Sequence, residues 1–267
     1  MSVLVAAARN TRSAVASWQT KIASLLGKIV SGGEQASAEI SPVSSVELPF
    51  QCNVCGERVE KFLPFGRQNR PNVRCPHCRA LDRHRAFWCY AKHFTNLFDG
   101  QPKKLLHVAP EKVLSEKLQA LPGLDYLSAD LDSELAMVKM DLTSIDYPDE
   151  TWDIILCSHV LEHIPDDRKA MREMLRVLRP GGWLMVQVPV RPEPTYEDWN
   201  ITTPEGKLEA FGQADHVRIY GYDLLDRLIE SGFAAEMIQV GQVLPKSEMT
   251  LHGIRPRAIL FHCKRPA

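Results

Sequence analysis

Beyond residue 100, apolar positions fall into two alternating patterns. Ile154, Ile155 and Leu156 follow one another with no polar break, as in a short strand buried on both faces of a helix-covered parallel sheet. Ala170, Met171, Met174, Leu175 and Leu178 recur at helical spacing and predict a helix with one buried face. Pro165, Asp166 and Asp167 suit its first turn. Pro180-Gly181-Gly182 is expected to end it, and residues 183–188 read as the next buried strand. Strand, helix, strand is one right-handed crossover unit. The same reading gives strands at 104–109 and 125–130, a third strand with its following loop at 137–142, helices at 113–121 and 222–231, and last strands at 234–240 and 258–263. The class predicted is α/β.

The N-terminal third reads differently. Residues 1–30 contain no acid and carry Arg9, Arg12, Lys21 and Lys28 beside an apolar stripe of Val15, Trp18, Ile22, Leu25 and Ile29, a basic amphipathic helix. A docking helix is the expectation; an organelle transit peptide or peripheral membrane contact is the alternative. Residues 31–49, rich in Ser, Ala and Gly, read as a linker. No run of about 18 apolar residues occurs, so no transmembrane span is expected, and a cytoplasmic location is. The net charge of −1 gives no global argument for nucleic acid or membrane.

Four of the seven cysteines form two pairs, Cys52-x-x-Cys55 and Cys75-x-x-Cys78. Each pair puts two thiolates on one tight knuckle, and four sulfurs complete the tetrahedral shell of a structural zinc ion, Zn2+; disulfides or free thiols are the alternative. Residues 50–82 are therefore expected to be a zinc ribbon, and 83–99 a helix connecting it to a domain over 100–267. Arg58, Lys61, Arg67, Arg70, Arg74, Arg79, Arg83 and Arg85 surround the ribbon. They suit an anionic partner, RNA included, or balance the charge of the metal site.

The strand near Asp153, the segment His159-Val-Leu-Glu-His163-Ile, and Arg176-Val-Leu-Arg-Pro-Gly-Gly182 before a strand resemble the class I S-adenosylmethionine-dependent methyltransferases, of the type 11-like group. The four-cysteine ribbon followed by Asp82-Arg-His-Arg85 resembles a bacterial branch of that family. The resemblance covers roughly residues 50–240. It implies a Rossmann-like, seven-stranded methyltransferase sheet with the last two strands as an antiparallel hairpin at one edge. It implies S-adenosylmethionine as cofactor. His107, Ala109 and Glu111 would line the methionine end, although Ala109 and Pro110 stand where the family has glycines. Asp130, with Asp132 as alternate, would take the ribose hydroxyls, and Asp141 and Leu142 the adenine. Ser158 and His159 would lie near the reactive methyl. His216, in a His-x-Arg-x-Tyr segment, is the first candidate for a general base, because imidazole titrates near neutral pH; His159 is the second. Arg191, Tyr196, Trp199 and Phe211 could form a lid. The motifs used for DNA-base methylation are missing: Cys157-Ser-His-Val stands in place of an Asn-Pro-Pro-Tyr type motif, and there is no Pro-Cys nucleophile. The expected acceptor is an oxygen of a small molecule or sugar. An RNA methyltransferase gripping RNA with its ribbon is the alternative, and a non-catalytic adaptor of the same fold is a third reading.

Overall fold

The computed structural model describes residues 48–66 and 68–267. The expected N-terminal helix and most of the linker lie outside the described residues. The described residues belong to one compact unit, Glu47–Ala267.

The first segment holds two small antiparallel hairpins, β1 (Phe50–Gln51) with β2 (Arg58–Val59), and β3 (Leu63–Phe65) with β4 (Arg70–Arg74). Helix α1 (Asp82–Phe94) follows. It stops five residues short of the expected end at 99, where the Thr95 hydroxyl bonds the Ala91 carbonyl and turns the chain out of the helix.

Next come β5 (Lys103–Val108), α2 (Lys112–Gln119), β6 (Leu124–Asp130), β7 (Val138–Lys139) and β8 (Trp152–Ser158). After a 3-10 turn at Leu161–His163 lie α3 (Asp167–Val177) and β9 (Leu178–Gln187). The chain then forms β10 (Val190–Arg191), β11 (Tyr196–Glu197), α4 (Pro204–Phe211), β12 (Arg218–Gly221) and α5 (Leu224–Glu230). It ends with β13 (Ala234–Gln239), α6 (Val240–Val243), α7 (Lys246–Leu251) and β14 (Ile259–Lys264).

Seven strands form one sheet in the order β13-β14-β9-β8-β5-β6-β7. The five strands from β9 to β7 are parallel, and β14 runs antiparallel between β13 and β9. The fold is therefore the expected Rossmann-like α/β sheet. Two short helices connect the last two strands in place of a tight turn.

The unbroken apolar strands fill both faces by simple alternation. Leu105, Ile154, Leu156, Trp183, Met185 and Leu260 pack with α1, α2 and the first segment. Leu106, Ile155, Cys157, Leu184, Val186 and Phe261 pack with α3 and α5. On α3, Ala170, Met171, Met174 and Val177 are fully buried. Asp166 is its N-cap, accepting a bond from the Lys169 amide at 2.9 Å, as the acids of its first turn suggested.

Within 137–142, read as a strand and its following loop, the strand is Val138–Lys139, because only these two find partners on β6 at this sheet edge. One expectation is corrected. Pro180-Gly181-Gly182 does not end α3. That helix ends at Val177, and β9 begins at Leu178 opposite Trp152. The glycines lie in an excursion within β9, since Ile154, two residues on, pairs with Trp183, five residues on. Gly181 has φ +76°, and a Cβ on Gly182 would sit 2.8 Å from the Asp153 carbonyl, so the excursion closes onto β8 only with glycine there.

Arg85 ties the first segment to the turn after α7. It is fully buried. Its guanidinium donates to the carbonyls of Val73, Ala80, His252 and Gly253 at 2.6–3.2 Å and lies 3.7 Å from the centre of the Phe62 ring.

Candidate functional site

The carboxyl ends of β5, β6 and β8 open into a cleft of about 650 Å³, the place where open α/β sheets bind ligands. Among the residues expected to touch a cofactor, Ala109, Asp130, Asp141, Leu142 and His159 line it together. Two turns shape its floor, and both hold a side-chain-bearing residue in the left-handed region, Ala109 at φ +48° and His159 at φ +57°. The Ala109 amide donates to the Ala129 carbonyl at 2.8 Å, and the His159 amide to that of Gln187 at 2.7 Å. These bonds hold conformations that cost on the order of 1 kcal/mol each. Each acid uses one oxygen to brace its own turn. Asp130 Oδ1 accepts from the amides of Asp132 and Ser133, and Asp141 Oδ1 from the amide and hydroxyl of Thr143. That leaves the second oxygen of each carboxylate for a hydrogen-bond donor in the cleft.

His107, Glu111, Ser158 and His216 do not line this cleft. His107 is buried in the sheet, with Nδ1 2.9 Å from the Tyr126 hydroxyl. Glu111 turns toward α1: Arg83 and His84 bond its Oε1 at 3.3 and 3.0 Å, and His107 Nε2 lies 3.7 Å from Oε2. Burial acts to raise its pKa, but the nearby His107 and His84 side chains and the Arg83 charge outweigh it and hold it well below the usual carboxylate range. Ser158 shares the sheet face of Leu156 and borders a void of about 10 Å³ with His107, because side chains alternate along β8.

The His-x-Arg-x-Tyr segment has a structural core that the sequence pattern does not announce. Arg218 is 1% exposed. It donates to Glu197 and to the carbonyls of Leu161, Ile164 and Pro165, and the Tyr220 hydroxyl donates to Asp167 at 2.7 Å. Arg227 joins the same acids. These bonds fix the loop after β8 from behind and place His216 against His163, with ring centres 4.6 Å apart. Of the proposed lid residues, Tyr196 and Phe211 meet at 5.6 Å between ring centres, Arg191 lies over Tyr196, and Trp199 is largely exposed near Arg218.

The four paired cysteines come together just before the start of α1. Their sulfurs lie within 4.8 Å of one another, with Cys52 to Cys78 at 3.7 Å and Cys55 to Cys75 at 4.0 Å. A tetrahedral ion with metal–sulfur bonds of about 2.3 Å needs sulfurs about 3.8 Å apart. Each knuckle is closed by backbone bonds, Gly56 to Cys52 and Arg79 to Cys75, and the Ala80 amide points at the Cys78 sulfur. The set could hold one tetrahedral ion.

Residues 105–186, from β5 to the end of β9, match the model of a methyltransferase domain. Over that stretch the chain is similar to the class I S-adenosylmethionine-dependent methyltransferases. Ajmaline N-methyltransferase from Rauvolfia serpentina is 30% identical over 35% of this chain and 30% of its own length. The uncharacterized methyltransferase YcgJ from Bacillus subtilis is 26% identical over 55% of this chain and 56% of its own. The methyltransferase GfsG from Streptomyces halstedii is 34% identical over 45% of this chain and 42% of its own. The chain thus covers between about a third and just over half of these methyltransferases.

Beyond the expected residues, the cleft is walled by Val108, Met140, Thr143, Val160, His163, Ile164, Pro165 and Asp215. Most are apolar or small, and only their position just after a strand end could have marked them. Asp215 reaches the cleft from a segment far along the chain, and no local signal announces it. Among the described residues no helix is long and apolar enough to cross a membrane.

Proposed function

We propose that the protein transfers a methyl group from S-adenosylmethionine to an oxygen of a small molecule or sugar. The observation that carries this is the pair of carboxylates, Asp130 and Asp141, on one cleft wall with His159. The donor set fits the cofactor: ribose hydroxyls and the adenine amine are hydrogen-bond donors, and each carboxylate has an oxygen to accept them. Asp130 takes the ribose, Asp141 and Leu142 the adenine, and the turn at Ala109 the methionine end. Glu111 and His107 support that turn from beneath and do not reach the ligand.

When bound, the sulfonium supplies a methyl group that is already electrophilic, so the chain's task is alignment and exclusion of water. His159, which lines the cleft with its Nδ1 3.3 Å from Glu162 Oε1, is the residue placed to take the proton of an acceptor hydroxyl. His216, buried and not lining the cleft itself, positions this loop. Relatives named for small-molecule acceptors, ajmaline and 27-O-demethylrifamycin SV, support an acceptor of that size. The four cysteines hold a structural zinc ion that fixes the first segment.

Thermal unfolding with and without S-adenosylhomocysteine tests the reading. Ligand at 100 times its Kd adds about 2.7 kcal/mol, and Asp130→Ala removes the shift. No shift at millimolar ligand in the zinc-loaded protein would sink it.

A further inference from the structure

Beside the cleft sits a cluster that methyl transfer as described leaves without a full role. Glu162 is 2% exposed, and its Oε2 is buried with no hydrogen-bond partner. His216 is 5% exposed, and its Nε2 is likewise buried and unpartnered. Leaving such groups unmatched costs about 1–3 kcal/mol each. The His163 ring is edge-on to that of His216, with centres 4.6 Å apart. One ligand-capable atom from each of Glu162, His163 and His216 lies within 4.8 Å of the others.

The fold builds this grouping rather than tolerating it. Glu162 and His163 are adjacent in the 3-10 turn after β8. The Val217 amide donates to the Glu162 carbonyl at 3.0 Å, and Arg218 grips the carbonyls on either side of the turn. Both contacts deliver His216, the residue just before, to the carboxylate. Asp215 Oδ2 lies 3.1 Å from His163 Nδ1, the kind of outer carboxylate that fixes the tautomer of a ligating histidine.

We propose that Glu162, His163 and His216 bind one divalent transition-metal ion at the rim of the cofactor cleft. Two imidazoles and one carboxylate are the donor set of open zinc and iron(II) sites, which keep coordination positions for a further ligand. His163 and Asp215 line the cleft, so an acceptor's oxygen reaches the ion from there. That use of the ion rests on the methyl-transfer reading; its binding does not. A single cation satisfies the Glu162 oxygen and the His216 nitrogen together, which no protein group does.

The test is metal content per chain of the full-length protein after saturation with Zn2+ and removal of excess, for the parent, Glu162→Gln and His163→Ala. His163 is half-buried, so its variant keeps the fold if the His216 region is sensitive. The expected result is a loss of one ion per chain in each variant. Loading with Co2+ separates the two sites, since sulfur-to-cobalt charge transfer belongs to the four cysteines and stays unchanged in both variants. Asp215→Asn weakens the affinity about 10- to 100-fold. Identical metal content in the parent and both variants overturns the proposal. So does loss of that ion in Glu248→Gln, which would place it at the other three-residue grouping, Cys89, His93 and Glu248. S-adenosylhomocysteine binding is read on the same samples: loss of the ion in the variants with no thermal shift in the parent upholds the metal site and removes methyl transfer.

Discussion

The four-cysteine segment and the seven-stranded sheet share one apolar cluster, yet they are held by different forces. The sheet has two closed layers, and single core side chains such as Met171 and Met174 contribute about 1.5–3 kcal/mol each. The segment over residues 48–81 has strands of two to five residues and few buried side chains of its own. With the proposed zinc ion on its four sulfurs, it leans on that site and on one arginine. An element too small to bury much apolar surface depends on a few strong, specific bonds, whereas a layered sheet spreads its stability over many weak ones.

Metal removal should break this contrast most sharply. Structural zinc sites are worth on the order of 10 kcal/mol, so a chelator, or Cys75→Ser, opens the segment while leaving the sheet folded. Limited proteolysis should show early cuts within 48–81, with the fragment from α1 onward surviving. Simultaneous loss of both regions would refute the division. Arg85→Met comes next. It leaves the carbonyls of Val73, Ala80, His252 and Gly253 without that donor, at an expected cost of about 3–5 kcal/mol in urea unfolding. A change below 1 kcal/mol would mean that the guanidinium is not the clamp.

Acid sharpens the comparison from the sheet's side. His262 on β14 is buried between Tyr90 and Trp183, and burial, with Lys264 nearby, lowers its pKa to about 4. Above pH 6.5 it is neutral whether folded or unfolded and contributes nothing to the pH dependence. Between pH 6.5 and 4 the unfolded chain takes the proton first, so stability falls by roughly 3 kcal/mol as pH drops through that window. His262→Phe should flatten the slope of unfolding free energy against pH there. The smallest effect is at the cleft floor. Ala109→Gly relieves a left-handed Ala but adds freedom to the unfolded chain, so stability should move by less than about 1 kcal/mol. A larger loss would show that the Ala109 methyl is needed for packing.

Much of the fold was legible because parallel strands buried on both faces leave unbroken apolar runs and α3 carries a clear stripe with an acidic start. The glycine pair misled, since Gly181-Gly182 reads as a helix stop and serves as a bulge pressed onto β8. At the cleft, acids at strand ends were visible as a local pattern. Glu111 and His107 were not separable from lining residues by sequence, because their direction depends on α1 supplying Arg83 and His84 from behind.

By itself the sequence determined what local patterns encode: the order of strands and helices, the two cysteine knuckles, and carboxylates at the ends of β6 and β7. Only the tertiary structure decided which distant groups meet. Arg85 joins four carbonyls from both ends of the described chain, and Arg218 carries His216 across more than fifty positions to Glu162 and His163. Such meetings depend on packing between elements and on where buried donors find acceptors, and neither leaves a period in the sequence.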